Sequence, residues 1–408
     1  MKKSSFWAEL LTKDMLILVA MGVSSGLPLA LTGGTLQAWL KNEGVDLGTI
    51  GLFAVVGLPY SLKFLWSPLM DRYVPLKMGR RRSWMIITQL MLIFSVIGLG
   101  FAQPKINLSL IALLAVLVSF FSASQDIVLD AWRREKLTDS QLGFGTSVFV
   151  SSYLFSFRMI AGSLALILAD HFPWSDVYLT MAAMLSVGLL ATFFCQEPNV
   201  DVVPPKTLRD AVIEPFKDFF TKPGAITILI FILAYKLGDN MALQMTTPFY
   251  LEVGFSKTDI GEINKLTGWV ALVIGQILGG VLMKKIGIIK SLLWFGILQG
   301  LAVYSFAILT WTGKNIFALA TIIGFENLAI GMGTIAYVTY MASITNRKFT
   351  ATQYALLSSL MGLPRTLIAA PTGYLAKFFG WHNFFMICSL MAIPGLLLIA
   401  KLKKIEKA

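Results

Sequence analysis

Two cysteines and two histidines among 408 residues leave little for metal or redox chemistry. A disulfide framework or a cysteine metal site has no material to form from, and Cys195 and Cys388 both fall inside apolar runs. His171 and His382 lie in short connections, where an interfacial position explains them more simply than ligation or proton transfer. There is no phosphate-binding glycine loop, no cluster spaced for a metal and no nucleophile beside a base, so the chain does not read as an enzyme and calls for no cofactor. Charge is scarce as well: 14% of residues are charged, against about 25% in a soluble domain. No segment alternates polar and apolar residues over about 10 positions, which excludes a transmembrane barrel.

What is present is apolar and long. Hydrophobic residues make up 56% of the chain and the mean hydropathy is +0.73. Apolar runs occupy residues 15–40, 47–70, 84–102, 108–132, 143–169, 177–195, 224–251, 258–283, 290–311, 315–344, 350–376 and 383–401. A helix needs about 20 residues to cross a ~30 Å hydrocarbon core, and all twelve runs come close to that length or exceed it. Backbone groups in lipid must be satisfied within the segment, so the runs are helices. The first is too long for a signal-peptide core and lacks a convincing cleavage site, so it counts as span one.

The net charge of +12 follows topology. With the N-terminus in the cytoplasm, 24 of the 34 basic residues fall in cytoplasmic segments, 5 in the opposite loops and 5 inside spans. That bias predicts an inner-membrane, multi-pass protein with both termini cytoplasmic. The run Gly79 to Arg82 then reads as a topology anchor, with no need of nucleic acid. Trp39, Trp66, Trp84, Trp132, Trp174 and Trp381 sit near span ends, as interfacial belts do.

Residues 196–223 form the longest polar connection and separate two domains, 1–195 and 224–408. Within it, Lys206 to Thr221 predicts a short amphipathic helix on the cytoplasmic membrane face, broken or kinked at Pro215. The domains repeat each other. GVDLGTIG at 44–51 is echoed by GFSKTDIG at 254–261, and Arg158 with Trp174 is echoed by Arg365 with Trp381. Two coincidences at nearly equal offsets support a duplicated six-span unit. The expected fold class is an all-α membrane protein of twelve transmembrane helices in two pseudo-symmetric six-helix bundles. Two parallel bundles around a midplane site give an alternating-access carrier.

Ten ionisable residues lie inside the spans, beyond the two outermost residues at either end: Lys63, Asp126, Asp130, Arg158, Lys236, Asp239, Glu262, Lys265, Glu326 and Arg365. Each costs at least ~2.5 kcal/mol on insertion scales, so each is paired, hydrated or used. Asp126 and Asp130 share one helix face, a turn apart. Asp126 is the first candidate proton site, against a reading as the permanently ionised partner of a core cation. Glu326 is the second. Asp130, near Arg133 and in reach of Asp71 and Arg72, is read with them as a cytoplasmic gate. Lys236 and Asp239 form either a stabilising pair or a substrate contact with its tuning charge. Arg158 and Arg365 suit bidentate carboxylate binding, or bridge to the acidic residues. Gln125 and Asn240 are candidate polar substrate contacts. Lys63 is expected to snorkel toward the cytoplasm, and Glu262 with Lys265 to form a local pair near the outer end of span eight. Gly22 with Gly26, and Gly275 with Gly279, have the spacing of close helix packing.

The loop from Trp66 through Asp71-Arg72 to Gly79-Arg80-Arg81-Arg82 resembles the signature of major facilitator superfamily transporters, with the glycine and basic cluster later than in the common spacing. SGLPLALTGGTLQAWL at 25–40, FLWSPLMDRY at 64–73, SASQDIVLDAW at 122–132, YKLGD at 235–239 and FENLAIGMGT at 325–334 are similar to the AmpG-type anhydromuropeptide permeases of Gram-negative bacteria, over nearly the whole chain. Some members carry further C-terminal spans, whereas this sequence reaches Ala408 with twelve. The resemblance implies proton-driven import of N-acetylglucosaminyl-anhydro-N-acetylmuramyl peptides from periplasm to cytoplasm, for peptidoglycan recycling. It implies a monomer whose partners are this small-molecule substrate and membrane lipid, with the proton gradient in place of a cofactor. The charges alone leave open another anionic solute or drug export.

Overall fold

The computed structural model describes residues 10–45, 47–198, 207–367 and 369–405; the side chains of 47, 48, 51, 54, 208, 257, 258, 261, 264, 265, 363–371, 404 and 405 lie outside that description. The described residues form helices and connections, with no strand among them. Among the described residues, ten helical segments are long and apolar enough to cross a bilayer, from Lys13–Asn42 to Thr372–Lys403, and a shorter apolar one covers Val55–Leu65. With Thr350–Leu367 these make a twelve-helix all-α membrane protein.

Several spans are irregular where their sequence resists a helix. The second is a chain of short pieces, including Leu58–Leu62 and Ser67–Arg72 joined by the tight turn Lys63–Leu65. Gly57, Pro59 and Pro68 interrupt the ladder there, because glycine weakens it and proline lacks an N–H. In the fifth, Ser156–Leu164 widens to a π-helix that carries Arg158. The seventh breaks at Lys236, between Ala225–Ala234 and Leu237–Val253.

The chain divides into two compact units, Met1–Thr138 with Val148–Pro215 and Thr345–Ser359 in one, and Asp139–Ser147 with Phe216–Ile344 and Leu360–Ala408 in the other. Each has its own apolar core, around Trp39, Leu92 and Tyr178 in the first and around Phe249, Phe306 and Phe385 in the second. Between helices in lipid the cohesion comes from van der Waals fit, which rewards small residues at crossings. A Cβ on Gly26 would run into the Tyr153 carbonyl, and one on Gly275 into the Leu328 carbonyl. The expected glycine packing is therefore realised in both units.

Local geometry repeats at a near-constant offset. Gly79 and Gly287 both precede a helix with φ near +90° and ψ 164°, and each accepts a hydrogen bond at its carbonyl from the hydroxyl four residues on, Ser83 or Ser291. Asn107 and Asn315 both cap a helix by accepting from the N–H three residues on, at 2.9 and 3.1 Å. Gly44 and Gly254, the first residues of the two echoed motifs, both have positive φ.

The connecting helix Leu208–Thr221 opens with a reciprocal cap: Asp210 N–H donates to the Thr207 hydroxyl at 3.0 Å, and Thr207 N–H to the Asp210 carboxylate at 3.2 Å. Of the two expected outcomes at Pro215, a break or a kink, the break does not occur: the helix continues from Leu208 to Thr221. Ala211, Pro215 and Phe219, four apart, are all buried along one face, and that burial holds the helix where proline removes a hydrogen bond. The Pro215 carbonyl accepts from Gln353 Nε2 at 3.0 Å. His382, expected in a loop, lies on a helix just past the kink at Gly380 and stacks on Trp311. Trp132 is fully buried, with Nε1 donating to the Gln196 carbonyl at 3.0 Å, so it is no belt residue. Trp66 likewise turns inward, donating to Ser124 Oγ at 2.9 Å.

Candidate transport site

The first unit holds two charged clusters on the Leu108–Lys136 helix. Asp126 is half-buried and accepts a hydrogen bond from the Ser25 hydroxyl of the Lys13–Leu31 helix. Lys63 is buried and is the cation acting most strongly on Asp126, yet the two do not close an ion pair. Tyr60 and Tyr153 also lie within its electrostatic range. Lys63 therefore does not snorkel outward as expected. It sits on the tight turn between Leu62 and Trp66, which leaves its stem no straight helical path to the interface. Asp126 is neither locked to a core cation nor bare. Such a carboxylate, held by one hydroxyl near a cation at a distance, can take up and release a proton with little rearrangement.

About one turn on, Asp130 pairs with Arg133 at 2.8 Å. Arg133 also reaches the Tyr354 hydroxyl at 3.5 Å and lies over the Phe149 ring. Gln125, on the neighbouring face, is 1% exposed, and neither amide atom finds a hydrogen-bond partner among the described residues.

The second cluster centres on Arg81. Its fully buried guanidinium donates to Asp71 at 2.8 Å, to both oxygens of Glu135, and to the Met70 carbonyl at 3.2 Å. Arg80 adds contacts to the Asp71 carbonyl and to Glu135. The Glu197 carboxylate accepts from the N–H groups of Arg81 and Arg82 at 2.8 and 3.0 Å, where a helix N-terminus favours an anion. Asp71 in turn accepts from the Thr352 N–H and hydroxyl, both at 2.8 Å. Arg81 is thus more than a topology anchor: two arginines and two carboxylates balance in a dry cluster, the arrangement that makes buried charge tolerable. Of the three gate candidates, Asp71 belongs to this network, Asp130 to the Arg133 pair, and Arg72 lies over the Tyr73 ring.

In the second unit, Lys236 and Asp239 form an ion pair at 2.9 Å where the seventh span is broken. Asp239 falls in the first turn of the following helix, where the dipole favours its charge, and broken spans are where carriers expose backbone and charge to cargo. Asn240 is half-buried beside them. Glu326 is 4% exposed, with Asn327 Nδ2 at 3.5 Å and Asp239 and Lys236 acting on it electrostatically. Arg158 is exposed on its π-helix and makes no ion pair among the described residues. The side chain of Arg365 lies outside the described ones, as does that of Lys265; Glu262 is exposed.

Sequence pattern alone does not mark Lys63 as a partner of Asp126, nor Glu135 and Glu197 as members of a cluster. The signal for Glu135 is its place as the one acid in the run Arg133-Arg134-Glu135-Lys136, where neighbouring cations favour its charge. No group of three or more His, Cys, Asp or Glu among the described residues could hold a metal ion.

The Major Facilitator Superfamily model matches residues 18–369. The chain is 43% identical over 385 residues to the anhydromuropeptide permease of Escherichia coli (strain K12), covering 94% of this chain and 78% of that protein. It is 34% identical to a putative transporter, AmpG 1, of Rickettsia bellii, over 96% and 99% of the two chains. Among solved structures, the proton:xylose symporter XylE bound to 6-bromo-6-deoxy-D-glucose superposes with a TM-score of 0.71 at 11% identity, covering 95% of each chain; this likeness is one of fold.

Proposed function

Because the chain belongs to the Major Facilitator Superfamily and, within it, to the anhydromuropeptide permease family, we propose that it imports N-acetylglucosaminyl-anhydro-N-acetylmuramyl peptides from periplasm to cytoplasm by proton symport, in the service of peptidoglycan recycling. It is a multi-pass membrane transporter and not an enzyme. The observation that carries the cargo is the 43% identity along 94% of the chain. Supporting the coupling is Asp126, held by Ser25 with Lys63 at a distance.

In this reading a periplasmic proton neutralises Asp126, while the carboxylates of the peptide stem meet Arg158, Lys236 and Arg365. Cargo and proton need only bind one of the two states better than the other to shift the equilibrium, and the occupied carrier then rocks inward. Glu326 is the second coupling group, Gln125, Asp239 and Asn240 supply polar contacts, and Asp71, Arg72 and Asp130 work the cytoplasmic gate. The domains are 1–195 and 224–408, joined by 196–223, with both termini in the cytoplasm and the protein a monomer in the inner membrane.

The test is uptake of a labelled anhydromuropeptide into proteoliposomes with an imposed pH gradient. Accumulation that collapses when a protonophore is added supports the reading. Gradient-driven uptake of a different anionic solute, with none of the muropeptide, would replace it.

A further inference from the structure

At the end of the first unit remote from Arg80 and Arg81, the chain ends of four helices border an open cavity of ≈ 630 Å³. Ligand sites usually run from about 300 to 1,000 Å³. Trp39 and Trp174 line it and stack on each other, with ring centroids 5.8 Å apart and planes 21° apart. Tyr178, fully buried with its hydroxyl bonded to the Leu31 carbonyl at 2.9 Å, packs 5.1 Å from Trp39 and holds that ring in place. Asn42, Glu43, Gln103 and Lys105 supply the polar lining.

We propose that this cavity is a saccharide-binding subsite, selective for a neutral N-acetylated amino sugar, that captures the sugar end of the cargo before it enters the carrier. The inference deepens the proposed function and rests on it for the identity of the cargo.

Three features select the ligand class. The cavity carries no net charge for an ion to follow, since Glu43 and Lys105 pair at 3.2 Å. A lipid phosphate would need a free cation here, and this lysine is already engaged. Next, the exposed Phe101 and Phe172 and the partly exposed Trp174 line the cavity with aromatic rings, which offer apolar contact at little cost in conformational entropy and match the C–H face of a pyranose; Trp39, 3% exposed, backs Trp174 from behind. The Asn42 and Gln103 amides both donate and accept, as hydroxyls and an acetamido group require. Finally, the Trp174 indole N–H is buried and has no hydrogen-bond partner among the described residues. A buried donor left unmade is costly, so an acceptor that reaches it through a small turn of the partly exposed ring recovers part of that penalty. The carbonyl oxygen of an acetamido group is such an acceptor.

The probe is N,N′-diacetylchitobiose, a neutral amino sugar with no peptide carboxylate. It is added to the full-length protein in nanodiscs of zwitterionic lipid and followed by saturation-transfer NMR and tryptophan fluorescence. Saturable binding is expected, with transfer concentrated on the acetamido methyl. Trp174→Phe keeps an aromatic ring, though a smaller one, and removes the N–H, and should weaken binding about three- to tenfold. Gln103→Ala, at an exposed position outside any helix, should weaken it about two- to fivefold and serves if Trp174→Phe does not fold. Absence of saturable binding to the wild-type protein overturns the subsite. So does binding that both variants leave unchanged, or displacement of the probe by glycerol phosphate as effectively as by N-acetylglucosamine. Muropeptide uptake measured on the same preparation separates the two readings. Uptake without chitobiose binding removes the subsite alone, whereas chitobiose binding without uptake keeps the subsite and removes the cargo assignment.

Discussion

The Asp71 carboxylate accepts hydrogen bonds from both the N–H and the hydroxyl of Thr352, 281 positions along the chain, while its other oxygen holds Arg81. One carboxylate thereby satisfies a helix N-terminus and half of a buried guanidinium. The two contacts differ in what their loss leaves behind. Thr352→Val removes one neutral donor and should cost about 0.5–1.5 kcal/mol. Asp71→Ala leaves the Arg80 and Arg81 side chains with Glu135 as their one directly bonded carboxylate, an under-compensated buried charge that should cost about 3–5 kcal/mol. Thermal unfolding of the solubilised protein compares them, and similar, small losses for both would show that the cluster is wetter than its burial indicates.

The repeated glycines offer a control on backbone strain. Gly79 and Gly287 share φ near +90° with ψ 164°, a region that only glycine occupies at ease. A Cβ on Gly287 meets nothing nearby, whereas one on Gly79 meets the Glu197 side chain. Gly287→Ala should therefore cost about 1–3 kcal/mol from strain alone, and Gly79→Ala distinctly more. Equal destabilisation would mean that Glu197 yields freely, which its two bonds to Arg81 and Arg82 argue against.

Lys236 and Asp239 separate structure from recognition. Asp239→Asn strands an ammonium, and Lys236→Met strands a carboxylate, so each single change should lower stability, by about 3–5 kcal/mol if the site is dry. The double variant should recover most of that stability. If Lys236 also meets a cargo carboxylate, the double variant stays deficient in muropeptide uptake by at least tenfold. Recovery of both properties together would reduce the pair to a structural strut.

Much of the fold was legible because lipid leaves the backbone few options. Twelve apolar runs, the linker helix and the two echoed motifs all reappear, and Gly44 and Gly254 share a backbone conformation that their motifs foreshadow. The charges were harder to read, since a periodic pattern gives the face of a residue but not the distance to its partner. A straight second span would let Lys63 reach the interface; the turn at Lys63–Leu65 removes that route. Arg81 looked like an ordinary basic flank, because Asp71 and Glu135 lie 10 and 54 positions away and meet it only through folding. Pro215 shows the converse, where burial of Ala211 and Phe219 on its own face outweighs a local rule.

The central claim is that Asp126 couples cargo to the proton, and its most direct test compares Asp126→Asn with the wild-type carrier in proteoliposomes. Two assays are run: exchange of labelled for unlabelled muropeptide without a gradient, and net accumulation under an inward pH gradient. The account predicts that the variant keeps exchange within a fewfold of wild type, since the amide mimics the protonated carboxyl and still accepts from Ser25, and that it loses accumulation. Accumulation at wild-type levels in the variant would contradict it.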